Sequence, residues 1–338
     1  MKIGIDKNSI KAVKKDGNEY IYLFDKEKYD ELINLKLHCI HYKHCEHLDI
    51  NLTDYDVDSL KKAKITDKDY LKKPEKKDYK IAIIIPNYNY EHTIEKCLKS
   101  ILDQTYTNYE IIFIDDMSTD NSVEIATNLL KPPHKVIQLK QKRYNGGARN
   151  EGYLYVSNDT DYIYYVDSDD WLFDNFALEK INKKLQTYPD VLFVGMASFK
   201  NGKTNINYIP KYNDKYDAMK GWSGSCGKVI KKSLATTQEC LYNEGTLKED
   251  RNQHYKICIN MKDFKLLQEP VYVWNQENSK SVTTIRNIMW ETSTIRHYAD
   301  TKQLYLTYKG KDKKLDQILE NRIRLCEQEL REGKNRQW

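Results

Sequence analysis

Between residues 80 and 170 the chain repeats one alternation of apolar and polar positions. "KIAIIIPNYN" is a short, β-branched apolar run ending at Pro86, the pattern of a strand covered on both faces. "EHTIEKCLKSILDQTY" then places Ile94, Leu98, Ile101 and Leu102 at helical spacing. "YEIIFIDD" predicts a second buried strand, and "STDNSVEIATNLL" a helix opened by an N-cap at Ser118 or Thr119. "KVIQLK" is a third strand, "NGGARNEGYLYV" a third helix after a glycine pair, and "DYIYYVDSDD" a fourth strand. Strands and helices that alternate through short connections build a doubly wound α/β sheet by right-handed crossovers. Such sheets bind ligands at the carboxyl ends of their strands.

The flanks read differently. Residues 1–78 predict a small α/β appendage, with "YIYLFD" as a strand and "KEKYDELINLKL" as a short helix. The appendage contains "HCIHYKHCEH", in which His38, Cys39, His41, His44, Cys45 and His47 are six potential zinc ligands without a recognisable zinc spacing. Residues 286–338 form a tail in which Leu315, Ile318, Leu319, Ile323 and Leu325 predict an amphipathic helix, suited to packing on the main domain or to a homodimer. The 338 residues carry a net charge of +5 with no basic block, so charge does not point to nucleic acid. Seven scattered cysteines fit reduced thiols. No run reaches the roughly 18–20 apolar residues of a membrane helix, and the N-terminus lacks a signal-peptide core, so a cytoplasmic protein is expected.

On this scheme the polar residues collect at one sheet edge. Pro86 and Tyr88 follow the first strand, Asp115 and Asp116 the second, and Asp167, Ser168, Asp169 and Asp170 the fourth. Crowded carboxylates cost free energy unless a partner offsets them. A solvated turn or a helix cap is one reading, and a divalent cation bound by hard oxygen ligands is the other. The first strand is followed by neither a dinucleotide fingerprint nor a P-loop, which argues against an oxidoreductase and a P-loop nucleotidase.

The stretch from "IAIIIPNYNYEHTIEKC" through "YEIIFIDDMSTDNS" and "NGGARNEG" to "YYVDSDDW" resembles the donor half of family 2 glycosyltransferases of the GT-A fold. "NEGTLKEDRNQHY" and "VYVWNQENSKSVT" resemble segments of the acceptor half, so the resemblance spans roughly residues 80–285. It implies an inverting, metal-dependent transfer of a sugar from a nucleotide-sugar, usually UDP-linked, to a hydroxyl of a glycan, lipid-linked or protein-linked acceptor. It also implies roles. Pro86, Tyr88, Asp115 and Asp116 would serve the nucleoside, and Arg143 the diphosphate. Asp167 and Ser168 would face the ribose or sugar, and Asp169 would bind Mn2+ or Mg2+. Asp250, the second acid of "KED", would be the catalytic base. Read from the residues themselves, Glu249 serves the acceptor or supports a loop, and Trp222 and Trp274 line the acceptor pocket or pack in the core. Asn150 would hold a loop, and Lys228 reads as a solvated lysine in preference to a phosphate contact. Three other readings compete: transfer to a modified base in DNA, a nucleotidyltransferase, and a catalytically inactive nucleotide-sugar-binding module.

Overall fold

The computed structural model describes residues 10–15, 18–23, 77–278 and 288–333, so the His/Cys cluster at 38–47 and the helix expected before it lie outside the described residues. The chain divides into two compact units, Met1–Glu75 and Lys76–Trp338. Within the first, β1 (Ile10–Lys15) and β2 (Asn18–Leu23) pair antiparallel from Ile10↔Leu23 to Lys15↔Asn18. The expected strand "YIYLFD" overlaps β2.

The second unit begins with β3 (Ile81–Asn87), α1 (Ile94–Leu102), β4 (Tyr109–Asp115), α2 (Ser122–Leu129), β5 (Lys135–Gln138), α3 (Tyr144–Gly152) and β6 (Tyr162–Tyr165). β7 (Trp171–Leu172), α4 (Ala177–Leu185), β8 (Val191–Lys200), β9 (Lys203–Tyr208), α5 (Lys215–Lys220), β10 (Lys228–Lys231) and α6 (Lys232–Ala235) follow. It closes with α7 (Glu249–Asn260), β11 (Phe264–Asn275), α8 (Ile288–Tyr308) and α9 (Lys313–Gly333). Among the described residues one sheet runs β5-β4-β3-β6-β10-β8-β11-β7, with β9 on β8. Its first four strands are parallel. β10 enters antiparallel between β6 and β8, and β11 pairs parallel with β8. This mixed α/β sheet is the expected GT-A architecture.

Continuous apolar runs are required because both faces are covered. Ile81, Ile83, Ile85, Ile111, Phe113, Tyr162 and Tyr164 pack on one side with Ile94, Leu98 and Ile101 of α1 and Leu178 and Ile181 of α4. Ala82, Ile84, Ile112, Ile114, Ile163 and Tyr165 pack on the other with Ala148 of α3 and Ile257 of α7. A fully buried isoleucine contributes about 1.5–3 kcal/mol, so these two layers dominate the stability. The order matters for function. From β3 the chain winds outward through β4 and β5, then returns to β6 on the other side of β3. The strand order therefore reverses between β3 and β6, and open sheets bind ligands in the crevice outside the carboxyl ends of the strands at such a reversal.

Two local expectations change. α2 starts at Ser122, with no side-chain cap from Asn121. Ser118 is instead drawn back to Asp115, while Asp120 Oδ1 accepts from the Ser122 backbone N–H and hydroxyl. The tail is two helices, and Leu315 and Leu319 are buried in the second core layer, so its apolar face covers its own domain. Leu325 points outward. Cys97, Cys226, Cys240, Cys258 and Cys326 are free and buried.

Candidate active site at the strand tips

The acidic turn after β6 is fixed from behind. The Asp170 backbone N–H donates to the Asp167 carbonyl at 3.0 Å. Asp170 is buried, accepting from Tyr272 Oη at 2.5 Å and from the Asn275 N–H at 2.7 Å. Burial and the two neighbouring carboxylates push the Asp170 carboxyl well up. Ser168 was expected at the donor, but its hydroxyl turns inward and donates to the Pro86 carbonyl at 2.6 Å. Both side chains are buried, so Ser168 and Pro86 brace the turn against β3 rather than line the crevice. Asp167 and Asp169 are left at the rim. Asp169 Oδ2 accepts from Asn278 Nδ2 at 2.8 Å, and burial plus the charge of Asp167 pushes its carboxyl up to about 6.

Arg149 joins this turn to the start of α7. Its Nη2 donates to Asp167 Oδ1 at 2.8 Å, while Nη1 donates to Glu249 Oε1 at 2.8 Å and to Asp250 Oδ1 at 3.3 Å. The guanidinium is 1% exposed and lies near the rings of Tyr165 and Tyr242. Burial works against its charge, but Asp167, Asp250 and Glu249 outweigh that cost and hold it protonated. Of the two roles expected for Glu249, acceptor contact and support of the loop, burial against Arg149 leaves the second, and burial with the adjacent Asp250 pushes its carboxyl up to about 7. Asp250 remains accessible, with its side chain 37% exposed.

The glycine pair explains how α3 delivers Arg149. A Cβ on Gly146 would lie 2.7 Å from the Asn243 carbonyl and 3.3 Å from Glu249 Cβ. Only glycine lets the helix approach that loop so closely. Asn150 then ties the two together, donating to the Tyr242 carbonyl at 3.0 Å and accepting from the Tyr242 N–H at 2.9 Å. This is the loop-holding role expected for it. Arg149 itself was missed, although a long basic residue set among Gly146, Gly147, Ala148 and Gly152 was a usable signal for a buried charge.

Among the residues expected to serve the nucleoside, the structure redistributes the work. Asp115 accepts from Asn87 Nδ2 at 2.9 Å and from the Ser118 N–H and hydroxyl. Asp116 accepts the N–H groups of Arg143 at 2.7 Å and Tyr144 at 2.8 Å. Both side chains are buried and hold the loops after β4 and β5. Arg143 is removed from the diphosphate role, because Nε and Nη2 form a fork with Glu244 and Nη1 pairs with Glu151. Tyr88 is 43% exposed, and the Lys142 ammonium sits over its face. Lys142 is held there by the Asp116 carbonyl at 3.1 Å and carboxylate at 3.3 Å.

Trp222 and Trp274 meet at 5.6 Å between ring centroids and pack on the first core layer as a half-buried aromatic wall. The loop "GWSGSCGK" wraps Trp222, with Gly224 and Gly227 close against its indole. Lys228 is buried rather than solvated. Its ammonium donates to the carbonyls of Ser223 at 3.0 Å and Gly224 at 2.7 Å, and burial pulls it down to about 8. A cavity of about 670 Å³ lies near the start of β3, lined by Asp78, Thr105, Asn108, Glu179 and Gln186, and holds none of the expected site residues.

No group of three or more His, Cys, Asp or Glu among the described residues could cage a metal. The donor set still suits a hard cation that takes one or two carboxylates and completes its shell with substrate phosphates. Asp169 and Asp167 would supply those carboxylates.

A family model, glycosyl transferase family 2, matches residues 82–260. The chain belongs to that family and carries a glycosyltransferase domain. It is 36% identical over 217 residues to the glycosyltransferase GlyA of Streptococcus pneumoniae serotype 4, covering 58% of this chain and 30% of GlyA. It is 35% identical over 103 residues, 30% of this chain and 40% of the relative, to the Escherichia coli UDP-Glc:alpha-D-GlcNAc-diphosphoundecaprenol beta-1,3-glucosyltransferase WfgD. The chain thus spans less than half of either relative. Among solved structures, S. aureus TarS 1-349 in complex with UDP-GlcNAc superposes with a TM-score of 0.60 at 21% identity, covering 71% of this chain and 70% of that one. That likeness concerns the fold. Among the described residues no helix is long and apolar enough to cross a membrane.

Proposed function

We propose that this domain is an inverting glycosyltransferase that moves a sugar from a UDP-sugar to a hydroxyl of a saccharide-type acceptor. One observation carries the reading: Arg149 draws Asp167 of the acidic turn and Asp250 of α7 to a single crevice at the strand tips. A donor-side acid and an acceptor-side acid are what a one-step displacement needs. The UDP-GlcNAc bound by TarS and the diphosphoundecaprenol-linked acceptor named for WfgD support the substrate classes.

The base stacks on Tyr88 once the Lys142 ammonium leaves the ring. The sugar lies beside Asp167, and the Trp222–Trp274 wall receives the acceptor ring. Asp250 takes the acceptor proton on Oδ2 as the oxygen–anomeric-carbon bond forms opposite the departing diphosphate. Bonding electrons of the broken C–O bond leave with the nucleoside diphosphate, and the anomeric configuration inverts. Mn2+ or Mg2+, held by Asp169 with Asp167, would act as a Lewis acid toward the leaving group.

The test is a thermal-shift panel of UDP, UDP-glucose, UDP-N-acetylglucosamine and GDP-mannose, with and without Mn2+. Ligands that bind the native state raise its melting temperature by mass action. A Mn2+-dependent rise with UDP or a UDP-sugar is expected. No rise with any nucleotide would overturn the reading.

A further inference from the structure

The proposed base is held by a second chain of hydroxyls that lies outside the acidic motifs. Ser225 Oγ donates to Asp250 Oδ1 at 2.5 Å, and Tyr242 Oη donates to Ser225 Oγ at 2.6 Å. The direction follows from chemistry. An ionised carboxylate only accepts, so the single Ser225 proton faces Asp250, and the tyrosine proton must face the serine. Tyr242 is buried, its ring set edge-on to Tyr165 at 5.5 Å and beside the Arg149 guanidinium. Its hydroxyl therefore has little freedom to point elsewhere.

Ser225 is carried by the loop between Gly221 and Lys228, and that loop is pinned from beneath. The Lys228 ammonium holds the carbonyls of Ser223 and Gly224, the two residues just before Ser225. The indole of Trp222 packs against Gly224 and Gly227, where a Cβ would approach to 2.4 Å and 2.8 Å. Ser225 is itself buried. A buried lysine and a glycine-cradled indole are costly devices for a loop that only connects α5 to β10.

We propose that Ser225, oriented by Tyr242 and the pinned loop, is the positioning residue of the catalytic base. With Arg149, it occupies Asp250 Oδ1 and leaves Oδ2 as the oxygen that meets the acceptor hydroxyl. Among the described residues Oδ2 accepts no hydrogen bond, while Oδ1 accepts two. A carboxylate held at one oxygen cannot rotate away, so the free oxygen keeps one direction. Positioning of this kind acts on the chemical step rather than on donor binding.

This inference rests on the reading of Asp250 as the base, and the experiment separates the two. UDP release from UDP-glucose would be followed with a diphospholipid analogue bearing N-acetylglucosamine as acceptor, for wild type, Ser225→Ala, Ser225→Thr, Tyr242→Phe and Asp250→Asn. Losing one hydrogen bond to a charged group predicts a fall in kcat of about 10- to 100-fold for Ser225→Ala, at unchanged KM for UDP-glucose. Ser225→Thr restores the hydroxyl and most of the rate. Tyr242→Phe, which keeps the ring, gives a smaller fall. Wild-type kcat in Ser225→Ala would overturn the proposal, as would a joint loss of kcat and donor binding that Ser225→Thr does not rescue. A wild type that releases no UDP, or an Asp250→Asn variant that still transfers, would overturn the reading of the site and this inference with it.

Discussion

Arg149 Nη2 lies 2.8 Å from Asp167 Oδ1, and through its other nitrogen the same buried guanidinium reaches Asp250. The carboxylates of the acidic turn and of the start of α7 therefore share one cation. The first prediction follows from that sharing. Arg149→Met strands a buried Glu249, and removing one partner of a buried pair costs about 3–5 kcal/mol. A lysine carries the charge but cannot fork to three acids. Chemical denaturation should show a large loss for Met and a smaller one for Lys, with UDP release abolished in both. Near-wild-type stability of Arg149→Met would show that the guanidinium does not organise the site.

Gly146 is the backbone condition for that arrangement. In Gly146→Ala the new methyl would meet the Asn243 carbonyl at 2.7 Å, and neither backbone can yield as a side-chain tip can. Forced overpacking costs about 1–3 kcal/mol, and here the strain separates α3 from α7. The expected outcome is a lowered melting temperature together with a loss of transfer beyond what the stability change explains. Unaltered transfer at unaltered melting temperature would contradict it.

Acid should weaken the fold through His297. Burial, together with Arg322 and Lys248, lowers this imidazole from 6.5 to about 3, and its Nε2 accepts from Arg322 Nε at 3.0 Å. The folded pKa lies below the unfolded one, so the unfolded chain takes up the proton first. The contribution is fully present above pH 6.5 and is lost as pH falls toward 3. His297→Gln retains an acceptor for Arg322 without a titrating ring. Its melting temperature should fall less steeply than that of wild type between pH 6.5 and 4. Parallel curves would rule out His297 as a contributor.

The sheet was legible in the sequence because strands buried on both faces must be continuously apolar, as "IAIII" and "IIFI" are. The acidic tips were legible because two of them fall at the ends of such runs. What was not legible is the direction each tip side chain takes. Ser168 and Asp169 are neighbours, yet one braces Pro86 and the other meets Asn278, and residues distant in sequence decide which. Glu249 and Asp250 divide in the same way around Arg149. Arg143 read as a phosphate ligand because its partners, Glu244 and Glu151, come to it only through folding. Ser225 and Tyr242 carry no motif at all, and their relation to Asp250 exists only in three dimensions.

The most direct test of the account compares Asp250→Asn with Asp169→Ala for binding of UDP-glucose in the presence of Mn2+ and for release of UDP. Asp250→Asn should bind the donor like wild type and lose transfer by about 100-fold or more. Asp169→Ala should lose the Mn2+-dependent part of binding. Equal loss of donor binding in the two variants, or transfer that survives Asp250→Asn, would contradict the division of the crevice into a donor side and a base.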